Sequence, residues 1–336
     1  MNKKVSVVIL NYNGAAMLEK FLPTVLECSP EATVVIADNA STDNSVALVL
    51  EKFPALQLIC LDKNYGFAEG YNKALEQVDA EYYILLNSDV EVTQGWIAPL
   101  LAFMETDESV VACQPKILDY KKKVCFEYAG AAGGFIDRYG YPYCRGRLFE
   151  TVEQDNGQYD EPCRIFWATG AAMMVRSKAY WAVGGLDGRF FAHMEEIDLC
   201  WRMNARGGIV YCVPQSVVYH VGGATLNKSN PYKTFLNFRN NLLLLYKNMP
   251  QKELRHVMCV RLLLDYLAAF KFVICGGWSD FKAVLKARCE YRRMRGDFSH
   301  DREQNLAMTV VSSENKRPFL LLEYYLRGRK YFNLLK

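Results

Sequence analysis

The 336-residue chain is 51% hydrophobic and 23% charged, which excludes disordered and fibrous classes and suits one large or two modest globular domains. Its net charge of +3 hides a division after Pro231: residues 1–231 carry 20 Lys and Arg against 28 Asp and Glu (−8), and residues 232–336 carry 20 against 9 (+11). An acidic body suited to cations and a basic tail suited to phosphates or an anionic membrane surface follow from that asymmetry.

The opening MNKKVSVVILNYNG holds only a six-residue apolar run, too short for the apolar core of a signal peptide, and reads as a first strand. Strands are predicted at 5–10, 33–38, 56–61 and 82–86, alternating with segments of helical spacing at 16–28, 42–53 and 67–78. This βαβαβαβ order implies a parallel sheet buried on both faces, because each right-handed crossover lays a helix against it. A helix over 93–105 and a strand near 109–113 follow, and the Gly- and Tyr-rich stretch 116–165 reads as hairpins and loops near a site. Strands at 170–175, 209–213 and 216–220 flank a helix over 195–208, and from Tyr232 the pattern turns helical and basic. Eleven cysteines without a C-x-x-C pair argue against a disulfide framework or a zinc site and for a reducing cytosol.

Each opening strand ends in a polar cluster: Asn11-Tyr12-Asn13-Gly14, Asp38-Asn39, Asn64-Tyr65-Gly66 and Asn87-Ser88-Asp89. One such cluster is an ordinary turn. Four in register mark the crevice beyond the carboxyl ends of the strands, where open α/β sheets bind ligands. Neither G-x-G-x-x-G nor G-x-x-x-x-G-K-[ST] occurs, so dinucleotide-binding and P-loop readings lack support. Asp89 is a hard oxygen ligand suited to Mg²⁺ or Mn²⁺ bridging a diphosphate. Asp38 suits a base edge or a ribose hydroxyl, or caps the next helix in competition with Ser41, Thr42 and Asp43.

A second cluster, His193-Met194-Glu195-Glu196-Ile197-Asp198, opens a helix. Acids there complement the helix dipole, and Asp198 can pair with Arg202 one turn on. Glu195 and Glu196 crowd one another, which raises a carboxyl pKa into the range of a general base. His220, before Gly222-Gly223, reads either as a metal ligand or as a loop histidine. Trp167 reads either as a ring stacked on an acceptor sugar or as core, and Trp96 as core.

The ordered series VVILNYNG, VVIADNASTDNS, NYGFAEGYNKAL, LLNSDVEV, ATGAAMMVR, GGLDGRFFAHMEEIDLCWR and VVYHVGG resembles the inverting family 2 glycosyltransferases of the glycosyltransferase-A fold, in particular a bacterial rhamnosyltransferase-like branch. The resemblance covers about residues 4–248. It implies an α/β fold with a mostly parallel sheet flanked by helices, a Rossmann-like nucleotide-binding half, and a helical basic C-terminal extension. It places a catalytic domain at 1–248 and the extension at 249–336. Asn11, Asp38, Asn39, Asn64 and Asn87 match nucleotide-side positions, with Gly66 allowing close backbone approach. Asp89 matches the last acid of a metal-binding D-x-D element, and His220 a histidine that completes the metal shell. Glu195-Glu196 matches an acidic pair, usually Glu-Asp, whose second member takes the acceptor proton. Two departures stand out: Asn87 replaces the first Asp of D-x-D, and Glu196 replaces the usual Asp, leaving Glu195 or Asp198 able to share its role. The implied activity is metal-dependent (Mn²⁺ or Mg²⁺) transfer from a UDP- or dTDP-linked sugar to a glycan or polyprenyl-diphosphate-linked acceptor, in cell-surface polysaccharide synthesis. Rival readings are a catalytically silent nucleotide- or carbohydrate-binding scaffold and a sugar nucleotidyltransferase.

In the tail, residues 257–278 are interrupted by Arg261, Asp265 and Lys271, so no uncharged run approaches the ~20 residues of a simple span. The three charges form a narrow polar stripe opposite a broad apolar face. Arg288, Arg292, Arg293, Arg295, Lys316-Arg317, Arg327, Arg329 and Lys330 follow, several among aromatics. This combination suits an anionic membrane interface rather than nucleic acid, because the apolar face has no role against a phosphate backbone. The expected location is cytoplasmic, peripheral on the inner face of the cytoplasmic membrane.

Overall fold

The computed structural model describes residues 3–222, 230–310 and 318–335; Gly223 and Lys316-Arg317 lie outside the described residues. Strands β1 (Val5–Asn11), β2 (Ala32–Asp38), β3 (Gln57–Cys60) and β4 (Tyr82–Asn87) alternate with helices α1 (Ala15–Cys28), α2 (Ser45–Lys52) and α3 (Gly66–Leu75), as the periodicity predicts. They pair in parallel in the order β3-β2-β1-β4. Successive side chains point to opposite faces of a strand, so Val8, Val35 and Leu85 enter one apolar cluster and Val7, Ile9, Ile36 and Ile84 the other. Burial of each such side chain contributes roughly 1.5–3 kcal/mol. With both faces closed by apolar packing, polar side chains find room beyond the strand ends. Register sets Asn11 opposite Asp38 and Leu10 opposite Asn87, which brings three of the four polar clusters to one edge.

Chain order continues through β5 (Val90–Val92), α4 (Ile97–Glu105) and β6 (Val110–Asp119). A small antiparallel sheet of β7 (Gly134–Ile136), β8 (Pro142–Cys144), β9 (Arg147–Leu148) and β10 (Thr151–Val152) occupies the stretch read as hairpins. Then come β11 (Cys163–Ile165), β12 (Ala172–Arg176), α5 (Ser177–Ala182), α6 (Glu195–Ala205) and β13 (Ile209–His220). The main sheet reads β11-β13-β6-β12-β4-β1-β2-β3, with β5 added against β13. β6 and β13 run parallel to each other, while β12 is antiparallel to both β4 and β6. The architecture is therefore the expected mostly parallel α/β sheet.

Two local expectations change. The strand predicted near 109–113 runs on to Asp119. The two strands predicted at 209–213 and 216–220 are one strand whose pairing slips between Val213 and Val217. Pro214, which has no N–H to give to a ladder, sits in that slip, so the irregularity absorbs the proline without ending the strand.

The tail forms α7 (Pro231–Asn248), α8 (Gln251–Ile274), α9 (Trp278–Met294) and α10 (Ser299–Ala307). In α8 two of the three charges of the predicted polar stripe are turned inward, while Lys271 is exposed. Arg261 and Asp265 are buried; Arg261 Nε donates to Asp265 at 3.1 Å and Arg288 donates to the other carboxylate oxygen at 2.5 Å. Arg261 also donates to the Tyr139 carbonyl at 3.0 Å and to the Asn241 amide oxygen. Leu254, Val257 and Ala269 lie on the same buried side, so the broad apolar face of the helix looks outward. Among the described residues, no helix is long and apolar enough to cross a membrane.

Candidate active site

The first group lies where β1, β2 and the start of α3 meet. Asn11 Nδ2 donates to Asp38 at 3.0 Å and to Ser41 Oγ at 3.2 Å, and the other Asp38 oxygen accepts from Ser41 N at 2.8 Å. Asn39 donates to Asn64 Oδ1 at 3.1 Å and to the Gly66 carbonyl at 2.9 Å, while its own oxygen accepts from Tyr65 N. Asn11, Asp38 and Asn39 are buried. Asn39 braces the loop that carries Asn64 and Gly66, Asn11 and Asp38 brace the one that carries Ser41, and the buried Asn11 Oδ1 has no hydrogen-bond partner among the described residues. The job of starting α2 falls to Asp43, which accepts from Ser45 N at 3.0 Å and, through its second oxygen, ties in Ala15 N at 3.1 Å.

Gly66 is required by space as well as by conformation. Its φ is +76°, and a Cβ there would lie 2.5 Å from the Phe191 ring and 2.9 Å from the Phe191 carbonyl oxygen. That carbonyl accepts from Phe67 N at 2.8 Å, so the loop before α6 is seated on the N-terminus of α3. Gly66→Ala is expected to cost about 1–3 kcal/mol of stability and to weaken nucleotide-sugar binding. Urea unfolding and donor titration check this; wild-type values in both would show that the close approach is dispensable.

The second group is assembled by β5, a strand too short to leave a period in the sequence. Its antiparallel pairing sets Val90 opposite His220 and draws Asp89 to the end of β13. His220 Nε2 lies 3.1 Å from Asp89 Oδ1 and 3.4 Å from Asn87 Nδ2. On its other side Nδ1 is 3.5 Å from Glu127, a buried carboxylate that the sequence reading missed. Glu127 is fixed by the Ala129 and Gly130 amides at 2.6 and 3.1 Å. Burial opposes charge on His220, but Asp89 and Glu127 outweigh it and push the imidazole up to about 10, so a cation taking Nε2 has to displace a proton. Among the described residues, no three His, Cys, Asp or Glu side chains surround a common point. One carboxylate and one imidazole nevertheless fit a cation that takes its remaining ligands from phosphate oxygens and water, the usual manner of Mg²⁺.

The third group opens α6. Phe191, His193 and Met194 all have positive φ, at 66°, 69° and 76°, and their strained loop is held from α7. Asn240 Nδ2 donates to the carbonyls of Phe190, Ala192 and His193 at 2.8–2.9 Å. Asn240, like Glu127, carried no signal in the sequence, since an Asn in a helical run looks like any exposed polar residue. Burial, with the Lys233 charge, pushes His193 down to about 4, so its imidazole is neutral. Glu195 is buried, with no hydrogen-bond partner for Oε2 among the described residues; burial and then the Glu196 charge push its carboxyl well up. Glu196 is half-buried, its Oε2 likewise has no partner among the described residues, and it is pushed up to about 7 by burial. Glu196 lies within electrostatic reach of Cys144 on β8 and Cys200 on α6.

Asp198 is differently engaged. It accepts from Arg202 and Lys247 at 2.8 Å and from Asn248 at 2.7 Å. Burial pushes it up, but the Arg202 and Lys247 charges overcome this and hold it below its ordinary value. An acid so occupied is an anchor between α6 and α7, which corrects its candidacy as a proton acceptor. Trp167 needs a similar correction. It is 3% exposed, donates Nε1 to the Phe135 carbonyl at 2.9 Å and covers Gly134, where an added Cβ would lie 2.1 Å from the indole. It is a packing residue with no free face for a sugar. Trp96 is core, as expected, with Nε1 on Ser29 Oγ at 3.0 Å.

The family model described as glycosyl transferase family 2 matches residues 6–183, just over half of the chain. The chain is similar to the N-acetylglucosaminyl-diphospho-decaprenol L-rhamnosyltransferase of Mycobacterium tuberculosis, with 28% identity over 239 residues that span 66% of this chain and 76% of that protein. Among solved structures it resembles GalNAc-T7 with UDP, GalNAc and Mn²⁺, at a TM-score of 0.56 and 18% identity, covering 73% of this chain and 48% of that one. It also resembles S. aureus TarS 1-349 in complex with UDP-GlcNAc, at a TM-score of 0.55 and 13% identity, covering 98% of this chain and 93% of the other. At these identities the two structures speak to the fold alone.

Proposed function

The chain belongs to glycosyl transferase family 2, and on that premise we propose that it moves a sugar from a nucleoside-diphosphate donor to a hydroxyl of a saccharide or lipid-linked saccharide acceptor, in cell-surface glycan synthesis. The observation that carries the reading is convergence at one sheet edge. Asn39 ties Asn64 and Gly66 there, Asn87 at the end of β4 reaches His220 of the Asp89–His220 pair, and the loop before the helix bearing Glu196 is bonded to the start of α3 through Phe67 and Phe191.

In this proposal Asn11, Asp38 and Asn39 shape the pocket for the nucleoside, and Asn64 and Gly66 border it. Asp89 and His220, with Asn87 beside them, would hold Mn²⁺ or Mg²⁺. The chemistry such a cation supplies when bound is neutralisation of charge on the departing diphosphate. Glu196 takes the proton from the attacking acceptor hydroxyl as that oxygen displaces the diphosphate from the opposite face of the sugar, inverting the anomeric centre. Glu195, whose carboxyl burial and the Glu196 charge push up, supports the pair and leaves the base role to its neighbour. The donor is UDP- or dTDP-linked; the acceptor is a glycan or a polyprenyl-diphosphate-linked saccharide, a class suggested by the name of the mycobacterial relative. Residues 1–248 form the catalytic unit and 249–336 an extension that keeps the protein peripheral on the inner face of the cytoplasmic membrane, supported by the +11 charge of residues 232–336 (20 basic, 9 acidic).

The test is incubation of the purified chain with UDP- and dTDP-sugars, Mn²⁺ or Mg²⁺ and a saccharide acceptor, following nucleoside diphosphate. Acceptor-stimulated release of the diphosphate is expected. Chelation of divalent cations, or Asp89→Ala, is expected to lower that rate by about a hundredfold. Pyrophosphate release instead would favour nucleotidyl transfer, and sugar-nucleotide binding without turnover would favour a silent scaffold.

A further inference from the structure

From Arg261 onward helix α8 buries two charges and leaves large apolar side chains outside. Its charges Arg261 and Asp265 are spent on a buried network with Arg288, Tyr139 and Asn241. The opposite face then presents Leu263, Leu267, Phe270 and Ile274, at i, i+4, i+7 and i+11, with exposures of 62, 54, 62 and 71%. Trp278 extends this ridge across the turn into α9, 59% exposed. Lys271 sits 5.5 Å over the Tyr325 ring, which brings the exposed Tyr325 and Leu326 beside the same ridge. Contiguous apolar surface of this kind marks an interaction site, since exposing it to water is unfavourable.

The rim of the ridge says what covers it. From Leu254 to Ile274 the only acid is Asp265, which is buried, whereas Arg255 and Lys271 are exposed cations of the same helix; elsewhere in the tail Lys282, Lys330 and Arg327, the last paired with Glu323, are exposed as well. Tyr266 on α8, Trp278 at the start of α9 and Tyr325 beside Lys271 are exposed, amphipathic rings of the kind found at the headgroup level. An apolar stripe edged by cations and interfacial aromatics complements an anionic bilayer surface: side chains enter the acyl boundary while the cations meet lipid phosphates.

We infer that the outward face of α8, continued by Trp278 and Tyr325-Leu326, inserts into the headgroup–acyl boundary of an anionic membrane, and that the buried Arg261–Asp265–Arg288 network exists to hold that face outward. The inference rests on the peripheral placement proposed above and goes further: binding depends on apolar insertion by one named face, beyond the attraction of the tail's net charge.

Co-sedimentation of the full chain with phosphatidylglycerol-containing vesicles, and with phosphatidylcholine vesicles, tests it. The wild type is expected to pellet with the anionic vesicles and to keep part of that binding at high salt. Leu267→Ser/Ile274→Ser is expected to weaken partition by more than about tenfold, with an unchanged thermal midpoint and unchanged turnover on a soluble acceptor. Leu263→Ser/Phe270→Ser is a second variant should the first fold poorly. Wild-type partition by both variants, or binding wholly abolished by salt, would overturn the inference. So would failure of the wild type to bind, including the case in which sedimentation reveals a dimer that these substitutions dissolve. Turnover on the soluble acceptor is read separately, so loss of the enzymatic reading and loss of the membrane reading are distinguishable.

Discussion

Glu196→Gln is expected to lower turnover by about 10²–10⁴-fold while leaving the donor KM nearly unchanged. The amide preserves size and hydrogen bonding but has no basic oxygen pair to accept the acceptor's proton, so the loss falls on the chemical step rather than on ground-state binding. Because burial pushes the Glu196 carboxyl up to about 7, and because the base works ionised, kcat/KM of the wild type is expected to rise as pH climbs through about 7 and to level off above it. Glu195→Gln is expected to be milder, since burial and the Glu196 charge push the carboxyl it replaces well up and so favour its neutral form. Steady-state kinetics over a pH series separates the two residues. A Glu196→Gln enzyme with wild-type turnover, or a Glu195→Gln enzyme that is the more damaged, would reassign the base.

Asp198→Ala is expected to destabilise the fold by about 3–5 kcal/mol, the usual cost of removing one partner from a buried ionic group. Arg202 and Lys247 would be left buried with their shared acceptor gone, although Lys247 keeps Asp187 at 2.7 Å. Asn248 would lose its 2.7 Å bond as well. The sign with pH follows from the depressed pKa. Asp198 contributes stability that is fully present above its ordinary value of 3.8 and is lost as pH falls through its lower folded value. The gap between wild type and variant is therefore expected to be full at neutral pH and to narrow in acid. Urea unfolding at several pH values measures it, and a variant unfolding like the wild type at neutral pH would show that the network adds little. Because the same network docks α6 on α7, turnover is expected to fall along with stability.

The parts of the molecule that were legible in the sequence share a cause. β1 to β4 are continuous apolar runs closed by polar clusters, and their parallel pairing forces Asn11, Asp38 and Asn87 to one edge. Helix α6 announced itself by its acidic first turn. What escaped depends on contacts between residues distant in sequence. Three residues of β5 carry no period, yet their pairing decides that Asp89 meets His220. Glu127 sits in a Gly- and Tyr-rich stretch where nothing distinguishes a buried acid from a solvated one. Asp198 was visible as an i,i+4 partner of Arg202, but Lys247, which completes its occupation, lies 49 positions away.

Helix α8 illustrates the limit of periodicity most clearly. The spacing of Arg261, Asp265 and Lys271 defines a polar stripe, and the ordinary assumption turns such a stripe to water, where only Lys271 is found. Here Arg288, 23 positions downstream, and the Tyr139 carbonyl give the stripe partners inside, so the face that burial would normally claim is left outside. Periodicity defines two faces; only the partners available on neighbouring elements decide which one is buried.

The most direct test of the account is the anomeric configuration of the product, read by proton NMR after transfer from a donor of known configuration. In-line displacement with Glu196 as base predicts inversion at the anomeric carbon. Retention would contradict it, since the acceptor oxygen would then have entered from the face the diphosphate left.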